Sequence, residues 1–364
     1  MSSDPKERTD PEAGNGGAGG SRRGLLVRVL IGAVLAPLLT FLVLVLFGEG
    51  DLEDPGKPER ATPFHVAGNR IVAPDGTRFI VKGVTIPYGT FAGGDARGLG
   101  ALNFATVDHD LRRLKGLGVN TVKVLVTPRP GDRTQAQRLR TVVGYARRQG
   151  LVVEISPAFT TFRRAAHLTR QLAREYRDDS YVWLQPMNEP NCPSGAPVPD
   201  CFDWVLWQQQ QRSLIRAIRA EGMASPVVVN TPNYSADLSK IDSYPLGDDS
   251  IIWGVHRFAN FKLDFTERER VDERRSWAGR TLERPVIVDM VGSRSSPEFR
   301  PLSPWLTGFL TFVRDWVRDD EGSGAIGFVW RWYGANTMTS TSGRLTPWGQ
   351  LFRQRYLQQV PGRA

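Results

Sequence analysis

The sequence predicts an α/β protein, a (β/α)8 TIM barrel preceded by a single transmembrane helix. Three observations carry this. Eight short apolar runs recur after residue 78, and amphipathic stretches of helical period separate most of them. The 364 residues leave about 300 for these units, the size that eight strand–helix pairs need. Nineteen consecutive residues near the N-terminus, Val29 to Phe47, carry no charge.

Residues 1–23 are polar and rich in Gly and are expected to be a disordered cytoplasmic tail. The apolar stretch in residues 24–47 is long enough, at about 28 Å for its uncharged core, to cross a bilayer. Arg22, Arg23 and Arg28 precede its core, and Glu49, Asp51, Glu53 and Asp54 follow it. That asymmetry puts the N-terminus in the cytoplasm and the rest outside, as a single-pass protein of the cell membrane. A cleaved signal peptide is the rival, but the stretch is long for one and no A-x-A site follows. Residues 48–62 read as a polar linker, and residues 63–364 as the barrel domain.

In "FHVAGNRIVAPDGTRFIVKGV" the Asp-Gly between apolar runs predicts a hairpin. The eight runs are then "FIVKGV", "NTVKVLV", "LVVEI", "YVWLQPM", "PVVVN", "IIWGV", "PVIVD" and "AIGFVW". Among the intervening stretches, "VDHDLRRLKGLG" sets Val107, Leu111 and Leu114 on one helical face, and Gly150 is a helix stop. "TRQLAREYRDD", "DWVLWQQQQRSLIRAIRAEG", "PWLTGFLTFVRDWVRDDEG" and "TPWGQLFRQRYLQQV" have the same period. A doubly wound sheet is the alternative, but no G-x-G-x-x-G follows the first run.

The net charge of +9 is spread as Arg over predicted helices, which a solvated outer face explains, and no nucleic-acid-binding pattern is present. His65, His109, His167 and His256 are scattered, so no metal or other cofactor is expected. Cys192 and Cys201 bracket a loop rich in Pro and Gly, and an extracytoplasmic location predicts an intrachain disulfide between them.

Active groups of such barrels lie at the C-terminal ends of the strands. Reading the ends of the eight runs gives Tyr88, Thr127, Glu154 with Ser156, Asn188 with Glu189, Asn230 with Asn233, His256, Asp289, and Trp330 with Trp332. Paired carboxylates and aromatic rings suit glycoside hydrolysis, in which one acid protonates the leaving oxygen and the other attacks the anomeric carbon or activates water.

"MNEPN" at the fourth run resembles the Asn-Glu-Pro signature of clan A glycoside hydrolases, in particular the cellulase-like family five. "IVAPDGTRFIVKGVTIP", "LRRLKGLGVNTVKVLV", "VVVNTPNYSADL", "WGVHRF" and "PVIVDMVG" follow that family's order over about residues 63–359, with Lys123 where Arg is usual and Phe258 for Tyr. The resemblance implies that Glu189 is the acid/base and that Asn188 binds a sugar 2-hydroxyl. It also implies that His256 orients the site and that a Trp of the eighth run, Trp330 or Trp332, floors the −1 subsite.

The family's nucleophile position falls on Met290, not on Asp289. Neighbouring strand residues face opposite ways, so regular geometry turns Asp289 out when Met290 points in. Three alternatives follow. A bulge turns Asp289 inward as nucleophile or base, Glu154 substitutes for it, or the domain binds glycan without cleaving it. The expected function is hydrolysis of β-linked poly- or oligosaccharide, with Glu189 and Asp289 as catalytic residues and Asn188, His256, Trp330 and Trp332 as substrate-binding ones. A catalytically silent glycan-binding or scaffold module of the cell surface is the alternative.

Overall fold

The computed structural model describes residues 62–88, 104–126, 133–157, 161–190, 203–259, 264–278, 283–292, 304–330, 337–340 and 343–361. The chain divides into two compact units, Met1–Lys57 and Pro58–Ala364. The expected tail (1–23), anchor (24–47) and all but the last residue of the linker (48–62) lie outside the described residues, as does the Cys192–Cys201 pair. Among the described residues no helix is long and apolar enough to cross a membrane.

The second unit is a closed barrel of eight parallel strands. Each of the eight apolar runs supplies one: β3 (Val81–Tyr88), β4 (Thr121–Val126), β5 (Val152–Pro157), β6 (Val182–Leu184), β7 (Val227–Asn230), β8 (Ile251–Phe258), β9 (Val286–Gly292) and β10 (Gly324–Gly327). They pair in chain order, and β10 closes the ring against β3.

The N-terminal hairpin differs from expectation. Its ladder, β1 (His65–Ala67) with β2 (Arg70–Val72), turns at Gly68 and Asn69 rather than at Asp75-Gly76. Gly68 takes φ +59°, which a residue without Cβ adopts at no steric cost. The Asp-Gly turn closes only the bridge Val72–Arg78. Phe64, Ile71 and Phe79 from this segment plug the lower end of the barrel against Trp183, with the Phe64 ring edge-on to Phe79 at 5.0 Å and to Trp183 at 5.4 Å.

Seven helices of six residues or more stand among the described residues: α1 (Phe104–Gly116), α2 (Arg133–Arg148), α3 (Phe162–Tyr176), α4 (Trp204–Ala220), α5 (Glu267–Ser276), α6 (Pro304–Arg318) and α7 (Pro347–Phe352). Val107, Leu111 and Leu114 are fully buried, as the period of α1 requires. Helix α5 has no apolar face and buries no residue, so periodicity gives no sign of it. What starts it is a capping box: the Thr266 hydroxyl accepts from the Glu269 N–H while Glu269 accepts from the Thr266 N–H. The β7–β8 crossover has only the single turns Pro232–Ser235 and Ile241–Ser243 among its described residues. An open groove of about 830 Å³ lies there, at the N-terminal side of β8, lined by Ile241, Leu246, Asp248, Trp253 and Arg284 among others.

Strand alternation layers the barrel interior. The lowest layer is apolar: Val81, Val152, Trp183, Val228, Ile252, Ile287 and Ile326. One step along each strand comes a buried polar layer containing Lys123, Glu154, Gln185, Asn230 and Asp289. Above it Leu125 and Met290 pack with Phe258 and Phe328.

Strand β9 breaks the alternation. Against β8, Val255 pairs with Val288 but His256 pairs with Met290. Against β10, Ala325 pairs with Val288 and Gly327 with Val291. Both neighbours therefore see one extra residue at 289–290. This is a bulge, and it lets Asp289 and Met290 both face inward. Gly254 on β8 makes the room, because a Cβ there would stand 2.7 Å from Asn230 Nδ2 and 2.9 Å from Asp289 Oδ2.

Candidate active site

Glu189 follows β6 and is a non-glycine residue in the left-handed region, at φ +46°. Such a conformation costs free energy and persists where surrounding contacts hold it. Here the Glu189 N–H donates to Asn230 Oδ1 at 3.2 Å. Its carboxyl Oε1 lies 2.7 Å from His256 Nδ1, and its side chain is 18% exposed. Asn188 is anchored by its N–H to Pro157 O at 2.9 Å. Its Oδ1 is buried with no hydrogen-bond partner among the described residues.

On the other side of the same imidazole, His256 Nε2 is 3.2 Å from Asp289 Oδ2. That oxygen also accepts from Lys123 Nζ at 2.6 Å, from Asn230 Nδ2 at 3.0 Å and from Gln185 Nε2. The Gln185 carbonyl in turn accepts from the Ser156 hydroxyl. Asp289 is fully buried. Burial alone would raise its pKa, but the Lys123 charge, with the hydrogen bonds from His256 and Lys123, outweighs burial and holds it far below the usual carboxylate range.

Lys123 is equally buried. Burial lowers its pKa, and Asp289 and then Glu154 more than restore it, so the ammonium stays charged. Glu154 Oε1 is 3.2 Å from Lys123 Nζ. Its pKa is pushed up to about 8, first by burial and then by the Asp289 charge, against the pull of Lys123. Asp289 is the nearer of the two carboxylates to the ammonium and is the one that keeps its charge.

Residues expected at the site thus meet in a chain that runs Glu189, His256, Asp289, Lys123, Glu154. Asp289 faces inward two residues after Ile287, and the bulge turns Met290 inward beside it, but Asp289 lies beneath His256, whose ring separates it from Glu189. Glu154 is fully buried in the same layer. Of these three carboxylates only Glu189 meets solvent.

Trp330 is corrected. It is 1% exposed and belongs to the main core cluster, with the Arg113 guanidinium of α1 5.5 Å from its ring centroid. Strand β10 ends at Gly327, so alternation does not carry on to Trp330. The aromatic of this strand end that packs with Met290 is Phe328, whose ring meets Phe258 edge-on at 5.5 Å. Trp332 and Thr127 lie outside the described residues, as does the side chain of Tyr88.

Asn233 sits in a left-handed turn with Tyr234 and Ser235, at φ +59°, +57° and +58°. The Ser235 hydroxyl ties that turn to Gly254 O, and Tyr234 is one of the exposed large hydrophobic side chains. Sequence reasoning missed Phe328, Gln185 and the ion-pair role of Lys123. Lys123 carried a signal, since a charge inside an otherwise apolar strand needs a buried partner.

The arrangement offers one partly exposed carboxyl that shares a proton with an imidazole, above an ion pair closed to solvent. The sequence profile of the family described as cellulase (glycosyl hydrolase family 5) matches residues 90–295. A β-glucanase from Saccharophagus degradans superposes with a TM-score of 0.67 at 18% identity, over 85% of this chain and 99% of that one, and that β-glucanase is also known in complex with cellotetraose. An endocellulase from Pyrococcus horikoshii gives 0.63 at 12% identity over 82% and 100%. The catalytic domain of a Thermobifida fusca endoglucanase gives 0.62 at 15% over 82% and 98%. At these identities the likeness is one of fold. No curated protein sequence matches the chain.

Glu154 makes stability depend on pH in a definite sense. Its folded pKa, about 8, lies above the ordinary glutamate value of 4.5. The stability it contributes is complete below 4.5 and is lost as pH rises through about 8. Asp289, whose pKa is depressed, contributes stability above the usual carboxylate range and loses it in acid. Urea denaturation of the wild type from pH 4.5 to 8 is therefore expected to show a steeper decline than that of Glu154→Gln. Parallel curves would contradict this assignment.

Proposed function

The chain belongs to the cellulase family, glycosyl hydrolase family 5, and from that premise we propose that it acts on β-linked glucan with Glu189 as the proton donor. The observation that carries this is the unequal burial of the carboxylates: Glu189 stands partly exposed after β6, while Glu154 and Asp289 are sealed below. Glu189 gives its proton to the leaving glycosidic oxygen as the bond to the anomeric carbon breaks. Asn188 Oδ1, buried and unpartnered among the described residues, supports a role for Asn188 as acceptor of a sugar hydroxyl. Leu125, Met290, Phe258 and Phe328 offer an apolar floor to a pyranose face. The β-glucanase and cellulases among the structural relatives support a glucan as the substrate class.

Met290 favours a second function, glycan binding without turnover. Its thioether carries no charge and does not act as the nucleophile of a double displacement. With Asp289 under His256, β9 presents no carboxylate to the anomeric carbon.

Hydrolysis of β-glucans and cello-oligosaccharides by the full-length chain in detergent decides between them. Glu189→Gln is expected to lower turnover by about 10²–10⁴-fold while glycan binding persists. Equal product from both proteins would exclude Glu189 as the donor. Absence of product from the wild type, with binding intact, would establish the silent module.

We also propose that residues 24–47 anchor the protein in the cell membrane with the barrel outside. The uncharged stretch and its flanking charges support this. The chain is expected to stay in the membrane fraction through an alkaline wash. A soluble mature protein beginning beyond residue 48 would refute the anchor.

A further inference from the structure

We propose that Asp289 is a positioning residue for His256, fixing the imidazole with a proton on Nε2 so that Nδ1 is directed at the Glu189 carboxyl. The inference deepens the proposed function, because it rests on Glu189 as the proton donor. It gives the displaced acid of β9 a role other than nucleophile.

The geometry supplies the steps. Asp289 Oδ2 is met by Lys123 Nζ, Gln185 Nε2 and Asn230 Nδ2, all of which only donate. A carboxylate so surrounded is an acceptor. The fourth neighbour, His256 Nε2 at 3.2 Å, must therefore be an N–H. In a neutral imidazole the other nitrogen, Nδ1, then carries a lone pair. Glu189 Oε1 lies 2.7 Å from that nitrogen. Two lone pairs do not meet at that distance, so one proton lies between them, on the carboxyl or on the ring.

This is the proton available to the glycosidic oxygen. The opposite tautomer would donate from Nδ1 and hold Glu189 as a carboxylate, which is the wrong state for an acid.

The groups around His256 agree. From β6 comes Glu189, from β7 Asn230, from β9 Asp289 and Met290, and from β4 Lys123, acting through Asp289. On its own strand Arg257 donates to the His256 carbonyl at 2.8 Å, and its charge is taken by Glu273. Lys123 and Asp289 cancel, and Glu154, raised to about 8, adds no charge near neutrality. The orientation of His256 is thus set by hydrogen bonds within a nearly neutral layer. Met290, facing inward beside Asp289 because of the bulge, packs against Leu125 on the mouth side of this layer.

The test is nuclear magnetic resonance of full-length protein labelled with ¹⁵N-histidine. Only four histidines contribute, and His256→Gln assigns the signal of interest. At pH 7 His256 is expected to show a protonated Nε2. A bare Nε2 with the proton on Nδ1 would overturn the proposal.

A second arm uses Lys123→Met/Asp289→Leu, which removes both charges together, leaves no ammonium unpaired and takes away the acceptor that His256 Nε2 faces. Hydrolysis is expected to fall by about 10²-fold or more, with glycan affinity unchanged and the Nε2–H signature lost. Full hydrolysis with the tautomer altered would also overturn the proposal. Should the wild type not hydrolyse glucan at all, the proton-donor assignment fails, and the spectrum still decides whether Asp289 fixes His256.

Discussion

An ammonium and a carboxylate 2.6 Å apart, both without solvent exposure, lie inside the barrel between its apolar plug and its mouth. Two ions taken out of water cost several kcal/mol each, and removing one partner of such a pair typically costs about 3–5 kcal/mol. The surrounding sequence follows from keeping the Lys123–Asp289 pair satisfied. Gln185 and Asn230 bring their amide donors to the same oxygen, and Gly254 omits the side chain that would strike both Asn230 and Asp289. Glu154, the second carboxylate near Lys123, is kept from ionising near neutrality first by burial and then by the Asp289 charge already set against the ammonium.

The same pair explains the departure of the site from an ordinary two-carboxylate cleft. The bulge in β9 turns two successive residues inward, an acid into the polar layer and a methionine into the layer above. The acid is spent on Lys123 and His256. Of Glu154, Glu189 and Asp289, the mouth keeps Glu189, held in a strained backbone by Asn230, which also binds Asp289. Asn230 therefore couples the exposed acid to the buried one through the backbone, while His256 couples them through the side chains.

Much of this was legible in the sequence. Alternation and apolar run length identified all eight barrel strands, because buried parallel strands are apolar on both faces. The Glu189–Asn188 pair and His256 were found from their places at strand ends. Helix α5 was not, since its Arg and Glu residues give no apolar period and only its cap marks it. Trp330 was misplaced because the strand stops at Gly327, three residues before it. Asp289 could be seen to fall out of register, but not which way it faced. A bulge is a property of pairing with two neighbouring strands, and a single strand's residues do not encode it. The Asp-Gly turn drew the hairpin one turn too late, since the preceding Gly68 supplies the positive φ on which the ladder folds.

The central claim is that Asp289 supports the imidazole from beneath and never reaches an anomeric carbon. A 2-deoxy-2-fluoro β-glucoside with a good leaving group tests this most directly, because it accumulates the covalent glycosyl-enzyme of a double displacement. Intact-protein mass spectrometry after long incubation is expected to show the unmodified chain. A glycosyl adduct mapped to Asp289 would contradict the account.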